Sequence, residues 1–372
     1  MVQGGRSGVA RYIIELVRSF AEMNQNDLDL YVLGLKSDQH FFPTITEDHW
    51  ITIPQAFAKG PMNLLWHQLF LASKLRQLKI DILHIPSYRR ILYKSPVPQV
   101  ATIHDCAPFI MAAKYDASRN FFGTKVVPHL ARRLPLIFTV SQATAKDITG
   151  YMKVDSKRIE LAPNGIDHSH FKPQSSTAIK AFKERHKLHR PYFIYVARLE
   201  HPAKNHIRLI QAFEKFQSQS GLDYELILPG ADWHGSETIR ATVETSPERN
   251  RIRLAGFVKN DDLPLWYASS EALVFPSLME GFGIPVIEAQ GCGTLVACAD
   301  ATSLPEVAGE AATLFDGKNI DSMSKVMLQL SKLSSSKRNE KHKQGLQWAS
   351  NFTWKATAQK CLKGYTKVLN KN

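Results

Sequence analysis

The stretch Phe275-Pro276-Ser277-Leu278-Met279-Glu280-Gly281-Phe282-Gly283-Ile284-Pro285-Val286-Ile287-Glu288-Ala289 sets two carboxylates and two glycines around a strand-to-helix turn. Glycines let a ligand come close to the backbone, and Pro285 fits the first turn of a helix. The N–H groups of Gly281, Phe282, Gly283 and Ile284 then stand at a helix start, whose charge of roughly +0.5 suits a diphosphate. Glu280 precedes the helix and Glu288 lies about one turn inside it, with seven residues between them. Carboxylates accept hydrogen bonds from pairs of sugar hydroxyls, so the two would face one ligand at different depths; without a ligand they are a cap and a surface residue. A second cluster, Ala197-Arg198-Leu199-Glu200-His201-Pro202-Ala203-Lys204-Asn205-His206, follows an apolar run. Arg198 and Lys204 at the carboxyl end of a strand would stabilise the negative charge that grows on a departing nucleotide diphosphate, with no metal required. Taken alone they are solvated loop charges.

Two weaker sites follow from the same logic. Gly256-Phe257-Val258 ends a strand ahead of an Asp261 or Asp262 helix cap, and its backbone, Phe257 and Val258 included, would hold a base. Thr102-Ile103-His104-Asp105 closes another strand and puts His104 at a sheet edge, where the alternative is an ordinary core histidine. Gly4, Gly5 and Gly8 form a third, short phosphate-loop candidate. The single Asp-x-Asp, Asp27-Leu28-Asp29, opens a predicted strand in the other half of the chain, so no metal site is assigned.

The elements that must position these residues are strands alternating with helical patterns. Apolar runs at 28–33, 82–85, 97–103 and 136–140 form one set, and 192–196, 224–228, 272–275 and 294–298 a second. This alternation implies two parallel sheets covered on both faces, an α/β fold class of two Rossmann-like domains. A domain of residues 1–172 and one of 173–350 are expected, joined through Lys172-Pro173-Gln174-Ser175-Ser176, with a helix in 351–372 that crosses back. No strand precedes the helical pattern of Ala10, Ile13, Ile14, Val17 and Phe20, so Met1 reads as an internal methionine with the first strand upstream.

With 372 residues the chain exceeds what one core serves, and 44% apolar with 22% charged residues is ordinary for a globular protein. No apolar run approaches the roughly 20 residues of a bilayer-spanning helix, and no secretory signal pattern opens the sequence, so a cytoplasmic protein is expected. Cys106, Cys292, Cys298 and Cys361 lack a paired spacing and read as reduced, buried and structural. The net charge of +13 is shared between the halves, 21 Lys/Arg against 14 Asp/Glu up to residue 172 and 26 against 20 beyond it. That surplus suits anionic ligands or an anionic membrane surface rather than nucleic acid. Two segments are candidate peripheral membrane contacts: Arg119-Asn120-Phe121-Phe122 through Lys125 to Arg132-Arg133, for which a solvated packing helix is the alternative, and Met62 to Phe70, for which core packing is the stronger reading.

Arg198 with Lys204, Glu280 with Glu288, and Ser303-Leu304-Pro305-Glu306-Val307 together resemble the retaining glycosyltransferase family 4, also described as glycosyl transferases group 1. The similarity extends to Ser7-Gly8-Val9-Ala10-Arg11-Tyr12, His104-Asp105, Thr139-Val140-Ser141 and Asn164-Gly165-Ile166-Asp167. It implies the GT-B fold, two Rossmann-like domains facing a central cleft, with the acceptor on the first and the nucleotide sugar on the second. By position, Arg198 and Lys204 would contact the diphosphate, Glu280 the sugar hydroxyls, Glu288 the ribose, Gly8 the phosphates and His104 the transferred sugar. The resemblance further implies metal-independent hexose transfer with retained configuration and no resident cofactor. The strings around His201 and Trp233 look like bacterial surface-polysaccharide members, which makes GDP-mannose the first expected donor and UDP-glucose or another nucleotide sugar the alternatives. The acceptor would be a saccharide or lipid-linked saccharide at the inner face of the membrane. Two other readings share the architecture: a sugar-nucleotide epimerase, and a truncated chain that binds nucleotide sugar without turnover.

Overall fold

In this computed structural model the described residues are 5, 7–23, 28–111 and 116–371. Gly4 and Asp27 lie outside them. The chain forms two compact units, one of residues 1–165 with 353–372, the other of residues 166–352. The polar stretch at 172–176 therefore falls inside the second unit.

In the first unit, α1 (Gly8–Glu22) is the first described element. Ser7 caps it by accepting from the Ala10 N–H at 3.1 Å, and Tyr12, Leu16 and Phe20 at i, i+4 and i+8 form its buried face. β1 (Val32–Gly34) and β2 (Trp50–Thr52) pair in parallel as a small separate sheet. β3 (Leu83–Ile85), β4 (Gln99–Ile103), β5 (Ile137–Thr139) and β6 (Ile159–Leu161) pair in sequence order, all parallel. Of the run at 28–33, only its last two residues are extended in β1; β2 and β6, three residues each, are too short for a periodic signal.

α2 (Gly60–Gln77) divides Met62 to Phe70 between the core and the surface. Asn63, Trp66, His67 and Leu71 turn inward, while Met62, Leu65, Leu69 and Phe70 are exposed. A helix apolar on both faces carries no periodicity that tells the buried face from the exposed one.

The second unit holds β7 (Tyr192–Ile194), β8 (Glu225–Pro229), β9 (Ile252–Gly256), β10 (Ala272–Phe275), β11 (Val296–Ala299) and β12 (Thr313–Phe315). Their order across the sheet is β12-β11-β10-β7-β8-β9, every pair parallel, which is the doubly wound pattern with its switch between β7 and β10. Its strands are buried on both faces, so β7, β10 and β11 read as continuous apolar runs. α3 (His206–Ser220) follows β7 and α4 (Ile284–Gly291) follows β10, which places both helix starts at the carboxyl edge of the two strands that flank the switch.

α5 (Trp354–Leu369) rejoins the first unit, capped by Thr353. It lies along α1, with Tyr12 and Trp354 rings 6.0 Å apart and Phe20 and Tyr365 rings 6.0 Å apart. Gly364 is required by closeness: a Cβ there would sit 2.4 Å from the Phe138 ring. All four cysteines are buried and unpaired; burial pushes the Cys298 and Cys361 thiols up to about 12, and those of Cys106 and Cys292 further.

Candidate functional site

The switch between β7 and β10 gathers the loops that carry the candidate residues of the second unit. The loop after β7 runs from Tyr195 to Asn205. Its register beside the loop after β8 is set by Leu199 N–H on the Ala231 carbonyl and Trp233 N–H on the Leu199 carbonyl, 2.9 and 3.2 Å. Gly230 makes this approach possible, since a Cβ there would meet the Ala197 carbonyl oxygen at 1.8 Å. Asn205, in the left-handed region at φ 61, opens α3 and donates from its side-chain amide to the carbonyls of Pro276 and Gly317 at 3.0 and 2.6 Å. Asparagine tolerates that conformation at low cost, so one residue both starts α3 and ties the β7 loop to the β10 loop.

This tie brings the two halves of the sequence pattern together. Lys204 Nζ donates to Glu280 Oε1 at 2.6 Å across 76 residues, with side chains only 17% and 14% exposed. Glu280 is held in turn by its own N–H on Thr302 Oγ1, 3.1 Å, and by Ser303 Oγ donating to its carbonyl at 3.0 Å. The same Ser303 hydroxyl reaches the Phe282 carbonyl at 3.1 Å, so one buried serine fixes the turn before α4. Gly283 occupies φ +95 as the N-cap of α4 and no side chain caps that helix. A Cβ on Gly283 would lie 2.7 Å from Leu304 Cδ2. Phe282 is buried against Phe352 and contributes its backbone, not its ring, to the turn.

Arg198 and Glu288 have partners of their own. Arg198 Nη2 donates to Glu200 Oε2 at 3.2 Å, and its guanidinium lies 4.5 Å from the Trp233 ring centroid. Glu200 is 1% exposed, so the arginine supports a buried carboxylate from one side and a half-exposed indole from the other. Glu288 is 2% exposed on α4 and accepts from Tyr267 Oη at 3.1 Å. Glu280 and Glu288 thus sit at different depths, each with its own partner. Phe257 is 69% exposed after the positive-φ Gly256, and Val258 beside it is half-buried.

In the first unit, His104 follows β4 and lies edge-on to the Tyr12 ring at 4.7 Å. Burial lowers its pKa, partly opposed by the Pro86 carbonyl that accepts from Nε2 at 3.0 Å, so the imidazole is neutral with Nε2 protonated. Tyr12 Oη and His84 Nε2 share Thr102 Oγ1 at 2.9 and 2.8 Å; burial drives His84 down to about 3. Gly8 is the exposed first residue of α1, with nothing within 4 Å of where a Cβ would be.

Glu200, Trp233, Asn205 and Ser303 stand in the motif strings quoted from the sequence, which assigned none of them an individual role. Asn205 carried a signal, an asparagine at a helix start two residues before an apolar pattern; nothing in the sequence paired Trp233 and Glu200 with Arg198, because only the fold sets them around it.

Comparison with known proteins agrees across the chain. Residues 176–348 match the family described as Glycosyl transferases group 1, and residues 6–170 match Glycosyltransferase Family 4. The O-antigen chain mannosyltransferase B of Escherichia coli is 27% identical over 96% of both chains. The MMP alpha-(1->4)-mannosyltransferase of Mycolicibacterium hassiacum is 25% identical over 74% of this chain and 67% of that protein. Among solved structures, a glycosyltransferase from Rickettsia africae superposes with a TM-score of 0.77 at 16% identity, over 99% of this chain and 96% of the other. Anabaena HepE in complex with UDP and glucose gives 0.74 at 16% identity, over 96% and 95%.

Proposed function

Since the chain belongs to the glycosyltransferases of group 1 and family 4, a hexosyltransferase of GT-B fold, we propose that it transfers mannose from GDP-mannose with retained configuration and without a metal. The observation that carries this reading is the Lys204–Glu280 pair in front of the uncapped start of α4. A cation for phosphate meets a carboxylate for sugar hydroxyls at the turn that leads into a positive helix end, the three charges a nucleotide diphosphate sugar needs matched. Mannose is favoured by the names of the curated relatives; UDP-glucose is the second donor to test.

In this reading Lys204 and Arg198 hold the diphosphate, Gly281, Phe282, Gly283 and Ile284 present backbone N–H groups to it, and Glu280 binds hydroxyls of the transferred sugar. Glu288, oriented by Tyr267, takes the ribose, and the Phe257-Val258 turn takes the base. Gly8 approaches the phosphates, and His104, neutral, hydrogen-bonds the sugar without adding charge. The bond from the anomeric carbon to the β-phosphate oxygen breaks as an acceptor hydroxyl bonds that carbon on the same face. The hydroxyl proton passes to the departing phosphate oxygen, so no protein nucleophile enters. Stabilising the developing charge is then the protein's main contribution.

The acceptor is a saccharide or lipid-linked saccharide of a bacterial surface polysaccharide, and the enzyme works in the cytoplasm at the inner face of the membrane. The test is a donor screen of the full chain with GDP-mannose, UDP-glucose and related donors, with chelator and with added divalent metal. Stabilisation and slow hydrolysis of GDP-mannose in chelator, with stabilisation abolished by Lys204→Ala and hydrolysis abolished by both Lys204→Ala and Glu280→Ala, is the expected result. Dependence on added metal, or binding of another donor alone, overturns the respective part.

A further inference from the structure

The equal division of charge between the halves of the chain hides a strong local bias. Residues 49–133 carry 12 Lys/Arg against three Asp/Glu, and Asp81 is the single acidic residue from 49 to 104. This basic stretch includes α2, whose outer face is apolar where solvent-facing helices are normally polar. Met62, Leu65 and Leu69 stand at i, i+3 and i+7 on one line, 43%, 44% and 61% exposed, and Phe70 beside them is 48% exposed. Among the described residues, only Phe57 and Trp66 put rings against Phe70.

The surface continues past the helix. Gln68 accepts from the Tyr93 N–H and donates to the Ile91 carbonyl, both at 3.0 Å, which fixes the 88–94 loop along α2. Arg90 Nε donates to Asn63 Oδ1 at 2.9 Å on the same helix. That loop exposes Tyr93, Arg89 and Lys94, and Arg133 lies 4.9 Å from the Tyr93 ring centroid. An aliphatic line bordered by an exposed tyrosine and by basic residues is thus built from α2 and the loop locked to it.

We propose that this face of the first unit is a docking surface for an anionic lipid bilayer, with Met62, Leu65, Leu69 and Phe70 entering the headgroup boundary while Lys59, Arg89, Lys94 and Arg133 meet lipid phosphates. The inference deepens the inner-membrane reading above by naming the surface. The aliphatic line rules for lipid over nucleic acid, which offers it no apolar phase, and the charge rules against a second copy, whose identical basic face would be repelled. α2 would lie in the interface plane through its exposed apolar residues; among the described residues no helix is long and apolar enough to cross a membrane.

The test is cosedimentation of the full chain with phosphatidylcholine vesicles, with and without one-third phosphatidylglycerol, beside Leu65→Glu/Leu69→Glu and Arg89→Ala/Lys94→Ala. Binding to the anionic vesicles is expected to fall at least tenfold in the first variant, and about fivefold for each basic residue removed in the second. Both sets of side chains are exposed, so thermal midpoints and GDP-mannose binding should match those of the unaltered chain. Equal binding to neutral vesicles, absence of binding at low salt, or binding indifferent to Leu65→Glu/Leu69→Glu overturns the proposal. So does a concentration-dependent dimer that the same variant abolishes. Donor binding is read without vesicles: its failure beside intact vesicle binding removes the GDP-mannose reading and leaves this surface, and the converse result does the opposite.

Discussion

Glu280→Gln is expected to act in opposite directions on a bare nucleotide diphosphate and on turnover. Without ligand, Lys204 is already engaged by Glu280 at 2.6 Å, both side chains less than one-fifth exposed. An arriving diphosphate must share that lysine and accept a carboxylate nearby. Two unit charges about 4 Å apart interact by roughly 4 kcal/mol at an effective dielectric constant near 20. With residual solvent contact and a longer phosphate-to-carboxylate separation, about 1 to 3 kcal/mol of that is recovered when glutamine replaces glutamate. GDP, or whichever nucleoside diphosphate the unaltered chain binds, should therefore bind about 5- to 150-fold tighter. The transferred sugar loses a charge-assisted hydrogen bond worth roughly 1.5 to 3 kcal/mol, so turnover should fall by about 10- to 150-fold. Titration calorimetry with the diphosphate and a discontinuous transfer or hydrolysis assay measure the two effects on one preparation. Weaker or unchanged diphosphate binding would refute the placement of Glu280 beside the phosphates, whatever happened to the rate.

Three further outcomes are expected. Tyr267→Phe removes the hydroxyl that donates to buried Glu288 and should cost about 1 to 3 kcal/mol of stability, with weaker donor binding; a thermal midpoint equal to that of the unaltered chain speaks against it. Gly230→Ala forces a Cβ against the Ala197 carbonyl, so the Arg198 loop must shift: a loss of about 1 to 3 kcal/mol and reduced donor affinity are expected, and a donor affinity left intact would show that the loop does not position the site. His84 and His206 are held down to about 3 and His67 to about 4, chiefly by burial, while unfolded histidines titrate near 6.5. Below about pH 6.5 the unfolded chain binds more protons, so stability falls with pH from there toward those values, by up to about 1.4 kcal/mol per pH unit per histidine. Urea midpoints that stay level from pH 7.5 to 5 would contradict the neutral buried imidazoles.

What the sequence made legible follows from how far each signal reaches. Strands buried on both faces of the second sheet, such as 272–275, appear as unbroken apolar runs and were found in place. β2, β6 and β12 are three-residue strands outside any long apolar run, so nothing local marked them. The Glu280 and Glu288 spacing was visible because a strand, a turn and a helix follow one another directly. Partners were not: Lys204 meets Glu280 through Asn205 and the crossover between β7 and β10, and Arg198 meets Trp233 only because Gly230 lets two loops touch. For α2 the sequence left core and exposed surface as alternatives, since apolar residues all round a helix do not tell which side stays uncovered.

The first unit is continuous in space and interrupted in sequence. Its core needs Tyr12, Phe20 and Phe138 together with Trp354, Cys361 and Tyr365, while residues 166–352 complete a unit of their own with Ile166 N–H on the Phe352 carbonyl at 3.1 Å. A ribosome therefore delivers everything the second unit requires before it delivers the last helix of the first. During synthesis the second unit is expected to fold first, leaving the apolar face of α1 uncovered until α5 emerges. The same topology predicts that residues 166–352 expressed alone fold cooperatively and bind nucleotide. The first unit should require α5, supplied on the same chain or added as a separate peptide.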